Sequence, residues 1–188
     1  MKAYCIRFAG IAFAAILALG GFSARAASKD DLLKIAADRP VPGWSVMADS
    51  TTYVQGDGLT QIYNGGYEVY TKAGVADAVR RIYMQGEDYV EVTVHGMKSS
   101  QSARDFLADR HRMEMGKSAP AAAGWNSFSV SRTGATTVYA AAGRFFMTIV
   151  AYSEGAKGKA QTAPFLKALG ENAKKLLAAR QKQGRPTR

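Results

Sequence analysis

The side chains best suited to acid-base or ligand chemistry are few: His95 and His111, the carboxylates Glu68 and Glu91, and Asn64 beside the pair Gly65-Gly66. Asn64 and Glu68 are four positions apart, so on a helix they share a face, and the two glycines strip side chains from the backbone between them. Tyr63, Tyr67 and Tyr70 flank the same segment, giving it the aromatic faces and few fixed polar groups that binding sites favour. Tyr63, Asn64, Gly65, Gly66, Tyr67, Glu68 and Tyr70 are therefore the candidate ligand- or partner-binding residues. Two glycines inside a helix cost about 1 kcal/mol each relative to alanine, and close approach of the helix to a sheet is the ordinary reason to accept that cost. On that reading Gly66, which continues the stripe Leu59, Tyr63, Gly66, Tyr70, faces the sheet, and Glu68 anchors nearby backbone groups.

Neither histidine stands in a His-x-x-x-His or His-Glu-x-x-His arrangement, so the spacing assigns no metal. His95 reads as a polar strand-end residue and His111 as a solvated helical one. Glu91 shares the strand face of His95, but four residues along a strand separate them by about 13 Å, too far for a direct acid-base pair. No Gly-x-Ser-x-Gly occurs, and Gly56-Asp57-Gly58 lacks the further glycine and lysine of a phosphate-cradling loop. No catalytic residue and no cofactor is assigned. An envelope hydrolase would need a site assembled from scattered residues, with Glu68, Glu91 and His95 its first candidates.

These residues need elements to position them. Ser28 caps a short helix that Pro40 and Pro42 end, and Trp44–Met47 and Thr51–Val54 are short strands separated by an Asp49-Ser50 turn. The spacing predicts a continuous helix from Leu59 to about Lys72, capped by Asp57 and stopped by Gly74. Strands 76–85 and 89–95 form a hairpin in which Val90, Val92 and Val94 face the core and Tyr89, Glu91, Thr93 and His95 face the other way. A helix follows over 99–113, with Ala103, Phe106, Leu107 and Arg110 on one side, then a small-residue loop over 116–124. Strands over 126–132, 136–142 and 144–152 have turns tight enough to require antiparallel neighbours. Pro164 opens a last helix striped by Phe165, Leu169, Ala173, Leu176 and Leu177. Hairpins clustered between helices predict a single α+β domain, an antiparallel β-sheet with helices packed on it.

The N-terminus reads as an address. Lys2 and Arg7 precede an uncharged apolar run from Phe8 to Phe22, which ends in Ser23-Ala24-Arg25-Ala26-Ala27. A basic start, an apolar segment too short to span a bilayer and small residues at Ala24 and Ala26 predict a signal peptide over 1–26, cleaved after Ala26, and a periplasmic or secreted product. The only cysteine, Cys5, lies before the apolar run, so the processed domain, 27–180, has no disulfide, thiolate metal site or cysteine nucleophile.

Of the 188 residues, 47% are hydrophobic and 21% charged, which excludes disordered and membrane-bundle classes. The formal charge of +10 is not spread evenly: residues 167–188 hold seven basic side chains and one acidic, Glu171, while the rest of the processed chain is nearly neutral. Nucleic acid is not an expected partner of an exported protein. The basic end, with a disordered tail over 181–188, suits at most weak contact with an anionic membrane surface.

The run Leu59-Thr60-Gln61-Ile62-Tyr63-Asn64-Gly65-Gly66-Tyr67-Glu68-Val69-Tyr70, preceded by Pro42-Gly43-Trp44 and followed by Val90-Glu91-Val92 and the Ala103/Phe106 pair, resembles a family of uncharacterised secreted bacterial proteins over about residues 40–180. That family carries an Asn-Gly-Gly/Ala-x-Glu-x-Tyr helix motif; Tyr67 stands here where a small residue is usual. The resemblance implies a fold and an envelope location and carries no established activity or ligand; the reading of the chain as a non-catalytic binding module makes an envelope protein or small ligand the expected partner.

Overall fold

The computed structural model describes residues 27–63, 65–115 and 126–183. The expected signal peptide, Asn64, the loop over 116–124 and residues 184–188 lie outside the described residues. Seven antiparallel strands form one sheet: β1 (Ser45–Val46), β2 (Thr52–Gln55), β3 (Val75–Gln85), β4 (Asp88–Met97), β5 (Asn126–Arg132), β6 (Ala135–Ala142) and β7 (Phe145–Ala151). Their order is β1-β3-β4-β7-β6-β5, and β2 also pairs with β3, so the two short strands share that edge one after the other. Four helices pack on the sheet, α1 (Lys29–Ile35), α2 (Tyr67–Lys72), α3 (Ser100–Met115) and α4 (Gly155–Gln183), which makes the fold α+β.

Both faces of the sheet are covered. Strand alternation sends Val90, Val92 and Val94 of β4 and Met147 and Ile149 of β7 to one side, where Leu32 and Ile35 of α1 and Phe165, Leu169 and Ala173 of α4 close over them. The opposite side carries Met97, Tyr139 and Phe146 beneath Ala103, Phe106 and Leu107 of α3 and Leu59 of a 3-10 turn, Gly56–Gln61. The second face of β4 is therefore not a solvent face: Thr93 and His95 are buried along with their valine neighbours. His111 is buried too, edge-on to the Phe128 ring at 4.8 Å, because it continues the Ala103, Phe106, Leu107 stripe by one more turn. His95, two residues short of the end of β4, is a buried polar residue, and His111 is not the solvated residue the sequence suggested.

Two helices differ from expectation. The predicted helix over 59–72 is broken: the 3-10 turn ends at Gln61, Gly65 and Gly66 take left-handed backbone angles, and only Tyr67–Lys72 is α-helical. Asp57 lies inside the 3-10 turn and makes no capping bond there; Gln55 occupies the cap position. The last helix begins at Gly155, with Pro164 inside it. Its first turns are held by the β5–β6 hairpin: the Gly155 N–H donates to Ser131 Oγ at 2.8 Å and the Gly134 N–H donates to Glu154 Oε2 at 3.2 Å. Gly158 packs so closely on Ser153 and Thr136 that no side chain fits there. These contacts start the helix before the proline. At its other end the helix runs through Gln183, three residues into the stretch expected to be tail.

Candidate functional site

His95 sits on β4 opposite Phe146 of β7. Its Nδ1 lies 3.0 Å from the Phe146 carbonyl oxygen, which can only accept, so Nδ1 carries the ring proton. Nε2 is then the unprotonated nitrogen, and it accepts the Tyr63 hydroxyl. Burial pulls the histidine pKa down to about 4, the Phe146 carbonyl opposes this, and the Arg110 charge adds to it, so the imidazole is neutral at pH 7. Burial, then the neighbouring Tyr70, pushes the Tyr63 phenol far above its ordinary range. The rings form layers: Tyr63 stacks on Tyr70 at 3.8 Å between centroids, Tyr70 lies 5.5 Å from His95, and Phe106 meets Tyr70 edge-on at 5.3 Å. The neutral imidazole has both nitrogens engaged by protein groups, and the phenol's proton is committed to Nε2. They hold the end of the 3-10 turn and the start of α2 onto β4.

Above this stack the chain turns through Gly65 (φ 88°) and Gly66 (φ 71°). Gly66 does not face the sheet. Both glycines are exposed, and among the described residues no atom beyond their chain neighbours lies within 4 Å of where a Cβ would stand on either. The requirement for glycine is thus conformational, since a left-handed backbone costs any other L-residue roughly 1–2 kcal/mol. Glu68 is not an anchor either: it is exposed, and among the described residues its carboxylate makes no hydrogen bond or ion pair; only its backbone carbonyl is engaged, accepting from Thr71 Oγ1 at 3.1 Å. None of the six residues of α2 is buried. Tyr67 and Tyr70 are half-buried against the domain, while Glu68 and Val69 point to solvent.

The structure brings together Tyr63, Tyr70 and His95, and sets Gly65, Gly66, Tyr67 and Glu68 on the turn above them. It does not bring together Glu68, Glu91 and His95. Glu91 accepts the Tyr152 hydroxyl at 3.3 Å, well along the strand from the sealed His95, and Glu68 stands at the surface. Sequence reasoning missed a second polar cluster: Arg110 donates to the Tyr139 hydroxyl at 3.2 Å, Tyr139 donates to Glu114 at 3.3 Å, and Arg132 closes on the same carboxylate. Glu114, Arg132 and Tyr139 border a pocket of about 240 Å³. A larger hollow of about 590 Å³ lies by β1, near the ion pair of Arg81 with Asp38 at 2.6 Å. Neither hollow is lined by the glycine turn. Among the described residues no group of three or more His, Cys, Asp or Glu side chains is arranged to hold a metal, and no helix is long and apolar enough to cross a membrane.

No known family profile and no curated protein sequence matches the chain. Among solved structures, the extracellular domain of PknH from Mycobacterium tuberculosis aligns with 79% of this chain and 94% of its own, at 14% identity and a TM-score of 0.42. A similarity of that degree says nothing about what this chain does.

Proposed function

We propose that this protein is an exported, non-catalytic binding module of the bacterial envelope, belonging with the secreted family its motif resembles, and that the turn over 63–70 is the surface that meets its partner. The observation that carries the reading is α2 itself. A helix none of whose residues is fully buried adds little to the core, yet it follows two left-handed glycines and its own Tyr70 closes a half-buried stack with Tyr63 over the buried His95. Glu68 and Val69 are thereby presented to solvent on a rigid base, as recognition residues are. Because the turn is open rather than concave, a protein partner fits it better than an enclosed small ligand. The dispersal of Glu68, Glu91 and His95 supports binding over hydrolysis. The basic residues of the C-terminal end add a screened attraction to anionic lipid that fades at physiological ionic strength.

The test is affinity capture from envelope extract with the processed protein, read by mass spectrometry of proteins and small molecules. A Tyr67→Ala/Glu68→Ala variant with an unchanged melting temperature is expected to lose the enriched species. Equal enrichment by the variant would refute the assignment of this surface.

A further inference from the structure

Asp77 is 2% exposed, and among the described residues neither of its carboxylate oxygens has a partner within hydrogen-bond geometry. It lies just past a bulge in β3, between Val75 and Asp77, that turns its side chain to the α1 side of the sheet while Val75 stays on the α3 side. Across from it in β4 is Gly96. A Cβ on Gly96 would collide with Asp77 Oδ1 and stand 2.8 Å from the methyl of Ala27. The fold therefore omits a side chain where Asp77 and Ala27 converge, and the Ala27 nitrogen is two bonds from that methyl. Ala27 is itself buried and immediately precedes Ser28, the cap of α1.

The groups around Asp77 leave it under-satisfied. The Tyr53 hydroxyl faces it from β2 and the Arg144 guanidinium from the β6–β7 turn, while Asp31 of α1 adds a like charge. Lys29 is drawn over the Tyr53 ring, Arg144 donates to the Met97 carbonyl, and Asp31 is already bonded by Ser28 and Arg180. Burial lifts the Asp77 pKa to about 6 despite Arg144, with Asp31 adding to the rise. Relative to an ordinary carboxylate, the folded state then loses stability as pH climbs from about 4 to about 6, where the chain must ionise a buried group that has only the Arg144 charge and the nearby Tyr53 hydroxyl to offset its burial. A buried acid whose oxygens are this poorly bonded is an expensive feature unless a further donor arrives later.

We propose that Asp77 is the receptor for the α-ammonium of Ala27, created by hydrolysis of the Ala26–Ala27 bond, so that removal of the signal peptide completes an ion pair the unprocessed chain lacks. The inference rests on the cleavage site proposed above. In that step a signal peptidase adds water across the amide: the hydroxyl goes to the Ala26 carbonyl carbon, which leaves as a carboxylate, and the Ala27 nitrogen becomes an amine. That amine takes a proton at neutral pH, since an ordinary α-amino group titrates at about 7.7–8.0. One amide N–H is replaced by three charged donors beside two unbonded oxygens. The pair is intact between the acid range in which Asp77 is protonated and the alkaline range in which the ammonium loses its proton.

The test uses the processed protein beginning at Ala27, the same protein with one glycine added before Ala27, and both again with Asp77→Asn. By NMR titration the Ala27 ammonium is expected to titrate at least one pH unit above an ordinary α-amino group, and the displaced terminal amine of the extended protein at the ordinary value. The added glycine is expected to lower the melting temperature when Asp77 is present and to leave it unchanged with Asp77→Asn. An ordinary Ala27 titration, or the same loss in both backgrounds, would overturn the ion pair. N-terminal sequencing of the exported protein should begin at Ala27, and a start elsewhere would overturn the cleavage site on which the pair depends.

Discussion

The two faces of the sheet are covered by the same device, helices on strands, yet are made of different material. Under α1 and α4 the centre is carbon: Val90, Val92, Val94, Met147 and Ile149 against Phe165 and Leu169. Under α3 and α2 the same strands offer Thr93, His95, Phe146 and Thr148, and the covering elements answer with Tyr63, Tyr70 and Arg110. Apolar packing tolerates any solvent condition that leaves the chain folded and asks only for volume. A buried network depends on protonation state and on the position of every donor. One face supplies bulk stability; the other supplies a fixed arrangement and makes it sensitive to acid.

The widest gap between them should appear on truncating the carbon face. Phe165 lies 5.3 Å from Trp44 and 5.0 Å from Tyr83, and Phe165→Ala should cost about 3–5 kcal/mol in denaturant titrations. That loss should be the same at pH 5 and pH 7. Apart from the Asp77 carboxylate at the edge of the carbon face, acid should act on the other face. The His95 pKa is depressed in the folded state, so its stabilising effect is complete above the unfolded value near 6.5 and is lost as pH falls towards 4. The loss should reach about 3 kcal/mol, and His95→Gln should flatten that part of the pH profile. A profile unchanged by the substitution would mean that His95 does not set the acid limit. Tyr63→Phe removes the donor to Nε2 and should cost roughly 1–2 kcal/mol at pH 7, measurable in the same titrations. The smallest change expected is at the turn. Gly66→Ala and Gly66→Leu should each cost about 1 kcal/mol, because the backbone angle is strained while the space is open. A much larger loss for leucine than for alanine would mean that the turn closes onto the domain in solution.

The carbon face was legible in the sequence because valines alternating along β4 and the Phe165, Leu169, Ala173 stripe match the periods of strand and helix. The polar face was not, since Thr93 and His95 alternate with those valines in the way solvent-facing residues do. What buries them is α3 and the 3-10 turn, brought from elsewhere in the chain. The His111 position could have been found: it falls four residues after Leu107 on the same stripe. The turn at Gly65-Gly66 was misplaced because Leu59, Tyr63, Gly66 and Tyr70 keep helical spacing across a segment that is not helical. Tyr63 and Tyr70 do meet, but two glycines in sequence fit a turn better than a helix interior. The early start of α4 had no apolar stripe to announce it, only Gly155 and Gly158 fitted to the neighbouring hairpin. Asp77 carried a usable signal, a lone acid within a strand of Val, Ala and Ile set against a glycine in the next strand.

The contact between α1 and α4 has a bearing on the order of events during synthesis. Asn172 donates to the Ile35 carbonyl at 3.1 Å, and Trp44 meets Phe165, so the first helix and the last share one core. The central pair of the sheet, β4 with β7, likewise joins segments separated by α3 and two further strands. Contacts this distant along the chain slow folding, because long loops must close before burial repays them. A nascent chain that has not yet delivered α4 has no lid for its carbon face and no partner for α1. On these contacts the domain cannot close before α4 has emerged, the condition a polypeptide needs if it is to be threaded through a membrane before it folds.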